Sequence, residues 1–440
     1  MERLVLFPPG TRVDAKGQLW LGECLASSLA QEFGTPLYVF DEAALRARCR
    51  EYRQALAQHY PSTGQVAYAS KAYLNLALAQ LFAQEGLSLD VVSGGELHVA
   101  RQAGFPAERI HFQGNNKTPA ELTAALDEGV GRIVVDNFHE LDELERLAAE
   151  RQVEVPIWLR LSPSIDVHTH IYRKTGLLDS KFGFSLETGD AEHALVRAMA
   201  SPHLELVGLH AHIGSQVFDA EPFAVAAALL VDFAAAVKAH HGFELRELSP
   251  GGGWGVPHHE VDPPAPVGRY VQAVCRAVID GCRRRELALP TLVIEPGRSI
   301  VAPAAVALYR VGARKEIPSV RTYVSVDGGM ADNIRPALYG ARYTALVANK
   351  ACQPAEEMVT VAGRFCESGD VLIRDITLPR LAAGDLLAVP MVGAYCLSLA
   401  SNYNLVPRPA VVLVREGQAS LIQRRETFHD LIARDLPLPG

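Results

Sequence analysis

Between residues 38 and 297 the chain alternates short apolar runs with helix-like segments, and this alternation constrains the fold more than any other feature. Eight such runs can be counted, at residues 66–69, 87–92, 109–112, 132–135, 156–161, 206–212, 245–248 and 291–295. Strands separated by helical crossovers pair in parallel, because a tight hairpin cannot join parallel neighbours. Eight repeats suit a closed (β/α)8 TIM-like barrel. An open doubly wound sheet would show the same alternation. The barrel is favoured because polar and glycine-rich clusters follow nearly every run, and a barrel gathers all those strand ends on one face.

After Arg298 the long helical patterns stop, and runs at 321–326, 358–361, 385–391, 411–414 and 420–422 suggest antiparallel sheet. Two domains are therefore expected from 440 residues. One is the barrel over residues 36–297. The other is a β-rich unit of sandwich or barrel type, built from residues 298–440 together with the strand-and-turn segment 1–35.

Half of the chain is hydrophobic (49%) and only 21% is charged, which allows a large core and excludes a disordered chain. A net charge of −8 without a basic stripe argues against nucleic-acid binding. Pro8 and Pro9 interrupt the short apolar N-terminus, and the apolar block 223–237 carries Asp232 and falls short of a bilayer span. No membrane partner is expected, therefore, and the cytoplasm is the expected location. Seven scattered cysteines without CxxC spacing fit a reducing compartment and give no metal site.

Four strand ends carry candidate chemistry. Lys71 closes the run Val66-Ala67-Tyr68-Ala69-Ser70-Lys71 just before a helical pattern, where a partly unprotonated amine could form a Schiff base with an aldehyde cofactor. His210 and His212 follow the sixth run, with Ser215 close behind. An imidazole there could lie on a flat ring; a pair of core histidines is the plainer alternative, and no nearby carboxylate or cysteine completes a metal set. Ser249-Pro250-Gly251-Gly252-Gly253 follows the seventh run, where glycine amides could close on a phosphate or simply form a flexible turn. Glu295-Pro296-Gly297-Arg298 follows the eighth. Glu295 could hold a pyridine nitrogen protonated, or could pair with Arg298. An amine, an imidazole, a phosphate cradle and a carboxylate on one barrel face together describe a site for pyridoxal 5′-phosphate.

The motifs Tyr68-Ala69-Ser70-Lys71-Ala72, Leu89-Asp90-Val91-Val92-Ser93-Gly94-Gly95-Glu96, Gly114-Asn115-Asn116-Lys117, Ser180-Lys181-Phe182-Gly183, His212-Ile213-Gly214-Ser215-Gln216, Glu295-Pro296-Gly297-Arg298, Cys366-Glu367-Ser368-Gly369-Asp370 and Gly393-Ala394-Tyr395 occur in this order. With them the chain resembles the alanine-racemase-like, fold type III pyridoxal-phosphate decarboxylases. It is most similar to the branch that converts meso-2,6-diaminopimelate to L-lysine. The resemblance implies that Lys71 binds the cofactor covalently, that His212 stacks on its ring, and that Glu295 partners the ring nitrogen. It implies that Ser215 and the amides of Gly252, Gly253, Gly297 and Arg298 hold the phosphate, with Tyr395 beside the cofactor. It further implies that Arg298, Arg335 and Tyr339 grip the substrate's distal carboxylate and that Glu367 holds its distal ammonium. Cys366 and Glu367 would reach the neighbouring subunit's pocket in a homodimer, with Cys366 or Lys71 returning a proton to the substrate. The chain departs from the family pattern at Ile171-Tyr172-Arg173-Lys174-Thr175-Gly176 and at Trp254.

Other members of the fold group act on ornithine, arginine, lysine or a carboxylated polyamine, and a simple diamine precursor would not need the Arg298–Arg335–Tyr339 grip. A racemase of the group would place an arginine, not Glu295, at the ring nitrogen. A non-catalytic cofactor-binding barrel would usually lack the second domain.

Overall fold

A computed structural model describes residues 2–165 and 179–439, and the departure at Ile171–Gly176 lies outside them. The chain divides into two compact units, one of residues 48–256 and 264–299, the other of residues 1–47, 257–263 and 300–440.

The first unit is a closed barrel of eight parallel strands. In chain order they are β1 (Gly64–Ala69), β2 (Ser88–Val91), β3 (Ile110–Phe112), β4 (Arg132–Val135), β5 (Val155–Ser162), β6 (Leu204–Ala211), β7 (Glu247–Ser249) and β8 (Thr291–Ile294). Each pairs with its successor, β8 returns to β1, and a two-residue strand, Phe184–Ser185, adds to the end of β5. All eight expected runs are strands, with ends shifted by at most two residues. They are buried almost throughout, as parallel strands covered by helices must be. Ala67, Val134, Trp158, Val207 and Val293 pack together within the barrel.

Local signals set the helices. Asn75 caps Leu76–Gln84 by accepting from the Leu78 N–H at 2.9 Å, and Thr118 with Glu121 forms a reciprocal capping box ahead of Pro119–Glu128. Asn137 caps Phe138–Arg151, whose buried Glu140 accepts at 2.6 Å from Lys117 of the Gly114–Lys117 motif. The same ammonium donates to the carbonyls of Gly114 and Val134, so this motif lysine has a structural place. The helix Glu221–His241 is long and apolar enough to cross a membrane by length and composition. Phe223, Ala226, Ala227, Leu230, Val231, Ala234 and Val237 are its buried residues, at the three- and four-residue spacing of a core-facing stripe. Trp254, the second departure, is buried against Tyr270 (centroids 5.1 Å apart) and donates to Ala265 O at 3.3 Å. The core absorbs that change.

The second unit is β-rich, as expected, but its sheet is mixed. Its long strand Ala305–Ile317 pairs antiparallel with Arg321–Val326, Leu386–Pro390 and Leu37–Asp41. Arg321–Val326 pairs in parallel with Glu357–Ala362, and Leu37–Asp41 in parallel with Ala410–Arg415. Parallel pairing is possible because long stretches of chain separate these strands. Leu37–Asp41 falls inside the segment 36–297 assigned to the barrel from sequence, yet it pairs with two strands of this sheet. An isolated buried run of five residues reads identically in either setting. Residues 257–263 likewise belong to this unit.

Candidate active site

Within the barrel unit, the C-terminal strand ends carry Lys71, His212, Ser215, Gly252, Gly253, Glu295, Gly297 and Arg298. Lys71 lies in a single 3-10 turn, Ser70–Ala72, directly after β1. Glu96 anchors that turn: its carboxylate accepts from the Ser70 hydroxyl and, at 2.8 Å, from the Val92 N–H. The charge of Lys71 acts on Asp90, Glu96, His210 and His212.

Glu295 is buried and accepts three hydrogen bonds: from Ser249 Oγ at 2.6 Å, Gln113 Nε2 at 3.0 Å and His210 Nε2 at 3.1 Å. Burial alone would push its carboxyl upward. His210, through charge and hydrogen bond, together with Ser249 and Gln113, outweighs burial and holds it well below the usual carboxylate range. Burial lowers His210, with the charge and hydrogen bond of Glu295 pulling the other way, and its Nε2–H donates to the carboxylate. A carboxylate has about four acceptor positions, and three donors leave one for a ring N–H. The partners of Glu295 are thus Ser249, Gln113 and His210, not the Arg298 of the ion-pair alternative; Arg298 donates to Ser215 Oγ at 2.9 Å.

His212 is held neutral, chiefly by burial and then by the nearby positive charges of Lys71 and Arg160. Its Nδ1 accepts from the Gly252 N–H at 3.3 Å, which orients the ring. That amide therefore serves His212, where a phosphate contact was expected of it. The glycine run is a packed element. A Cβ on Gly252 would lie 1.8 Å from Glu295 O, and one on Gly253, at φ +110°, would lie 1.9 Å from Gly214 O. Only glycine lets the backbone pass this close to the neighbouring strand ends.

Sequence reasoning missed Gln113, His210 and Ser249 as the supports of Glu295, although His210 stood in the His210–His212 pair. It also missed Asp90 and Arg160. Asp90, at the end of β2, is 1% exposed, and neither of its carboxylate oxygens has a hydrogen-bond partner among the described residues. Its pKa is raised by burial and by Glu295, against the pull of Lys71. An acid inside the apolar strand motif Leu89-Asp90-Val91 was the available signal. Arg160 is buried, 3.6 Å from Asp136 and over the Phe182 ring.

The remaining expected residues lie in the β-rich unit. Arg335 is 2% exposed and bonds Tyr343 OH and, at 2.8 Å, His258 Nε2. Among the described residues it has no carboxylate partner, and its Nε has no hydrogen-bond partner. Tyr339 ends the short helix Arg335–Tyr339, and Tyr395 adopts φ 58° between buried Ala394 and Cys396. Cys366 and Glu367 sit on an exposed turn, fixed by Cys366 N–H to Asn404 Oδ1 at 2.9 Å and by Tyr403 OH to Cys366 O at 3.2 Å. Cys366 is thus not a buried, inert thiol.

Residues 42–302 match the family described as pyridoxal-dependent decarboxylase, pyridoxal binding domain. Over 436 residues the chain is 48% identical to diaminopimelate decarboxylase of Bacillus subtilis, covering 98% of each. The chain belongs to the diaminopimelate decarboxylase family. The enzyme of that name from Synechocystis is 45% identical over 98% of this chain and 92% of its own length. The crystal structure of diaminopimelate decarboxylase from M. jannaschii in complex with L-lysine superposes with a TM-score of 0.91 at 35% identity, covering 98% of both chains. The family's cofactor is pyridoxal 5′-phosphate, and the residues present fit it. An ionised carboxylate with one open acceptor position, a neutral imidazole face, a lysine at a strand end and a serine–arginine pair beside a packed glycine cradle all occur within the barrel unit.

Proposed function

We propose that this chain decarboxylates meso-2,6-diaminopimelate to L-lysine and carbon dioxide with pyridoxal 5′-phosphate, in the cytoplasm. The observation that carries the reading is Glu295, a buried carboxylate kept ionised by three donors. An anion at that place keeps a pyridine nitrogen protonated, which decarboxylation requires and a racemase avoids. When bound, the cofactor supplies an electron sink for the carbanion left as carbon dioxide departs.

The chain's own residues do the rest. Lys71 holds the cofactor, and Lys71 or Cys366 of the partner subunit returns the proton that replaces the lost carboxylate. His212 presents a flat, uncharged face, and Gly252 prevents that ring from turning. Ser215, positioned by the Arg298 side chain, binds phosphate oxygens together with the amides of Gly253, Gly297 and Arg298.

Arg335 supports diaminopimelate over a simple basic amino acid. A buried guanidinium without a counter-charge is costly, and a substrate carboxylate would satisfy it. In this reading Arg298, Arg335 and Tyr339 bind that distal carboxylate, Glu367 the distal ammonium, and Tyr395 lies by the cofactor.

The active form is read as a homodimer in which Cys366 and Glu367 complete the neighbouring subunit's pocket. Their exposure on a tethered turn supports this.

The test is carbon dioxide release and product identity with meso-diaminopimelate, ornithine, arginine and lysine. Lysine formed from diaminopimelate, with the other three inert, is the expected result. Preference for ornithine or arginine would overturn the substrate assignment. For the shared site, co-expressed Lys71→Ala and Cys366→Ala chains should regain about a quarter of wild-type activity through mixed dimers. Mixed dimers with no activity would exclude it.

A further inference from the structure

On the outside of the barrel, Glu192, His240 and His241 each offer one ligand atom, and the three atoms lie within 4.8 Å of one another. We propose that these three side chains form a binding site for one divalent transition-metal ion of the Zn2+ class. Glu192 stands in the first turn of Asp190–Ala200, and the histidines end Glu221–His241, which stops at Gly242 in the left-handed conformation. Both rings approach the same oxygen: His241 Nε2 is 2.7 Å and His240 Nδ1 3.4 Å from Glu192 Oε1.

Adjacent helical residues point about 100° apart, so two consecutive histidines reach one point only by turning toward each other, here through His240 Nδ1 and His241 Nε2. That is the arrangement here, with the rings nearly perpendicular at 88°. Tetrahedral zinc with ligands about 2.0–2.1 Å away separates its donor atoms by roughly 3.3–3.4 Å. The separations of 2.7 and 3.4 Å bracket this value, so small side-chain rotations would admit the ion.

The plain alternative is electrostatic. An acid in a first helical turn and histidines in a last turn each complement a helix dipole, and the three can simply share hydrogen bonds. Dipoles alone do not explain why both imidazole nitrogens converge on one carboxylate oxygen. Two imidazoles and a carboxylate, with the fourth position open to water, form a set suited to Zn2+, Co2+ or Ni2+. The two helices flank β6 in sequence, the strand that carries His210 and leads to His212. A bound ion would therefore clamp the outside of the strand that positions Glu295's partner, as a structural brace that takes no part in the chemistry.

The experiment uses the untagged, full-length holoenzyme after chelator treatment. Zn2+ is titrated by calorimetry, Co2+ by visible absorption, and melting is followed with and without Zn2+. Expected are one ion per chain at micromolar affinity, a tetrahedral Co2+ spectrum and a higher melting temperature with Zn2+. His240→Ala, His241→Ala and Glu192→Gln should each weaken binding by about tenfold or more, because each removes one of three ligands. Decarboxylation should be unchanged by chelation or by these variants. No binding below millimolar Zn2+, or binding that all three variants retain, would overturn the proposal.

Discussion

Replacing Arg335 with Met separates a substrate-binding guanidinium from a structural one. The side chain is 2% exposed, bonds Tyr343 OH and His258 Nε2, and has an unpartnered Nε and no carboxylate partner among the described residues. Removing a buried, uncompensated charge in favour of an apolar chain of similar length is often neutral or stabilising, and the two orphaned partners cost about 1 kcal/mol each. The melting temperature should therefore move little. Binding is a different matter. Truncating one partner of a desolvated charge pair costs about 2–4 kcal/mol, or roughly 30- to 1,000-fold in kcat/KM with diaminopimelate. The assay measures kcat/KM for diaminopimelate together with the cofactor's visible absorbance and the melting temperature. Arg335→Met should lower the first and leave the other two unchanged. A kcat/KM within threefold of wild type, or a loss accompanied by lower cofactor absorbance and a lowered melting temperature, would refute the reasoning.

Lys71→Ala should abolish turnover and the cofactor's visible absorbance, while far-ultraviolet circular dichroism remains native. A variant that still turned over at the wild-type rate would remove Lys71 from the mechanism. Lys117→Met should destabilise the barrel by about 3–5 kcal/mol in denaturant unfolding, because it strands the buried Glu140 carboxylate, and Lys117→Met/Glu140→Leu should recover most of that loss. A double variant no better than the single would show that the lysine's main-chain contacts dominate. Asp332, in the β-rich unit, is pushed up to about 6 by burial, against hydrogen bonds from Tyr309, Gly329 and Tyr38. Between its ordinary value and about 6 the folded state binds the proton that the unfolded state releases, so this group's contribution to stability rises as pH falls from 7 toward 4. Asp332→Asn should flatten that slope; an unchanged slope would mean the carboxyl is not so perturbed.

Much of the molecule was legible in the chain alone. Covalent order and side-chain period fixed eight barrel strands, because a parallel strand needs a crossover and each crossover leaves a helical pattern. Lys71, His212 and Glu295 were legible for a related reason: strand ends in such a barrel converge on one face, so position along the sequence stands in for position in space. The supports of Glu295 were not legible. Gln113, His210 and Ser249 come from three different strand ends, and only barrel closure brings their donors to one carboxylate. The place of Leu37–Asp41 was equally hidden, since five buried residues carry no mark of which sheet will pair with them. Lys117 read as one letter of a motif until the fold set it against Glu140 in a buried ion pair. The sequence by itself determined which chemical groups the chain can bring to a cofactor and in what topology. Tertiary structure decided their charge states, because a pKa depends on burial and on donors that are distant in sequence and adjacent only after the chain has folded.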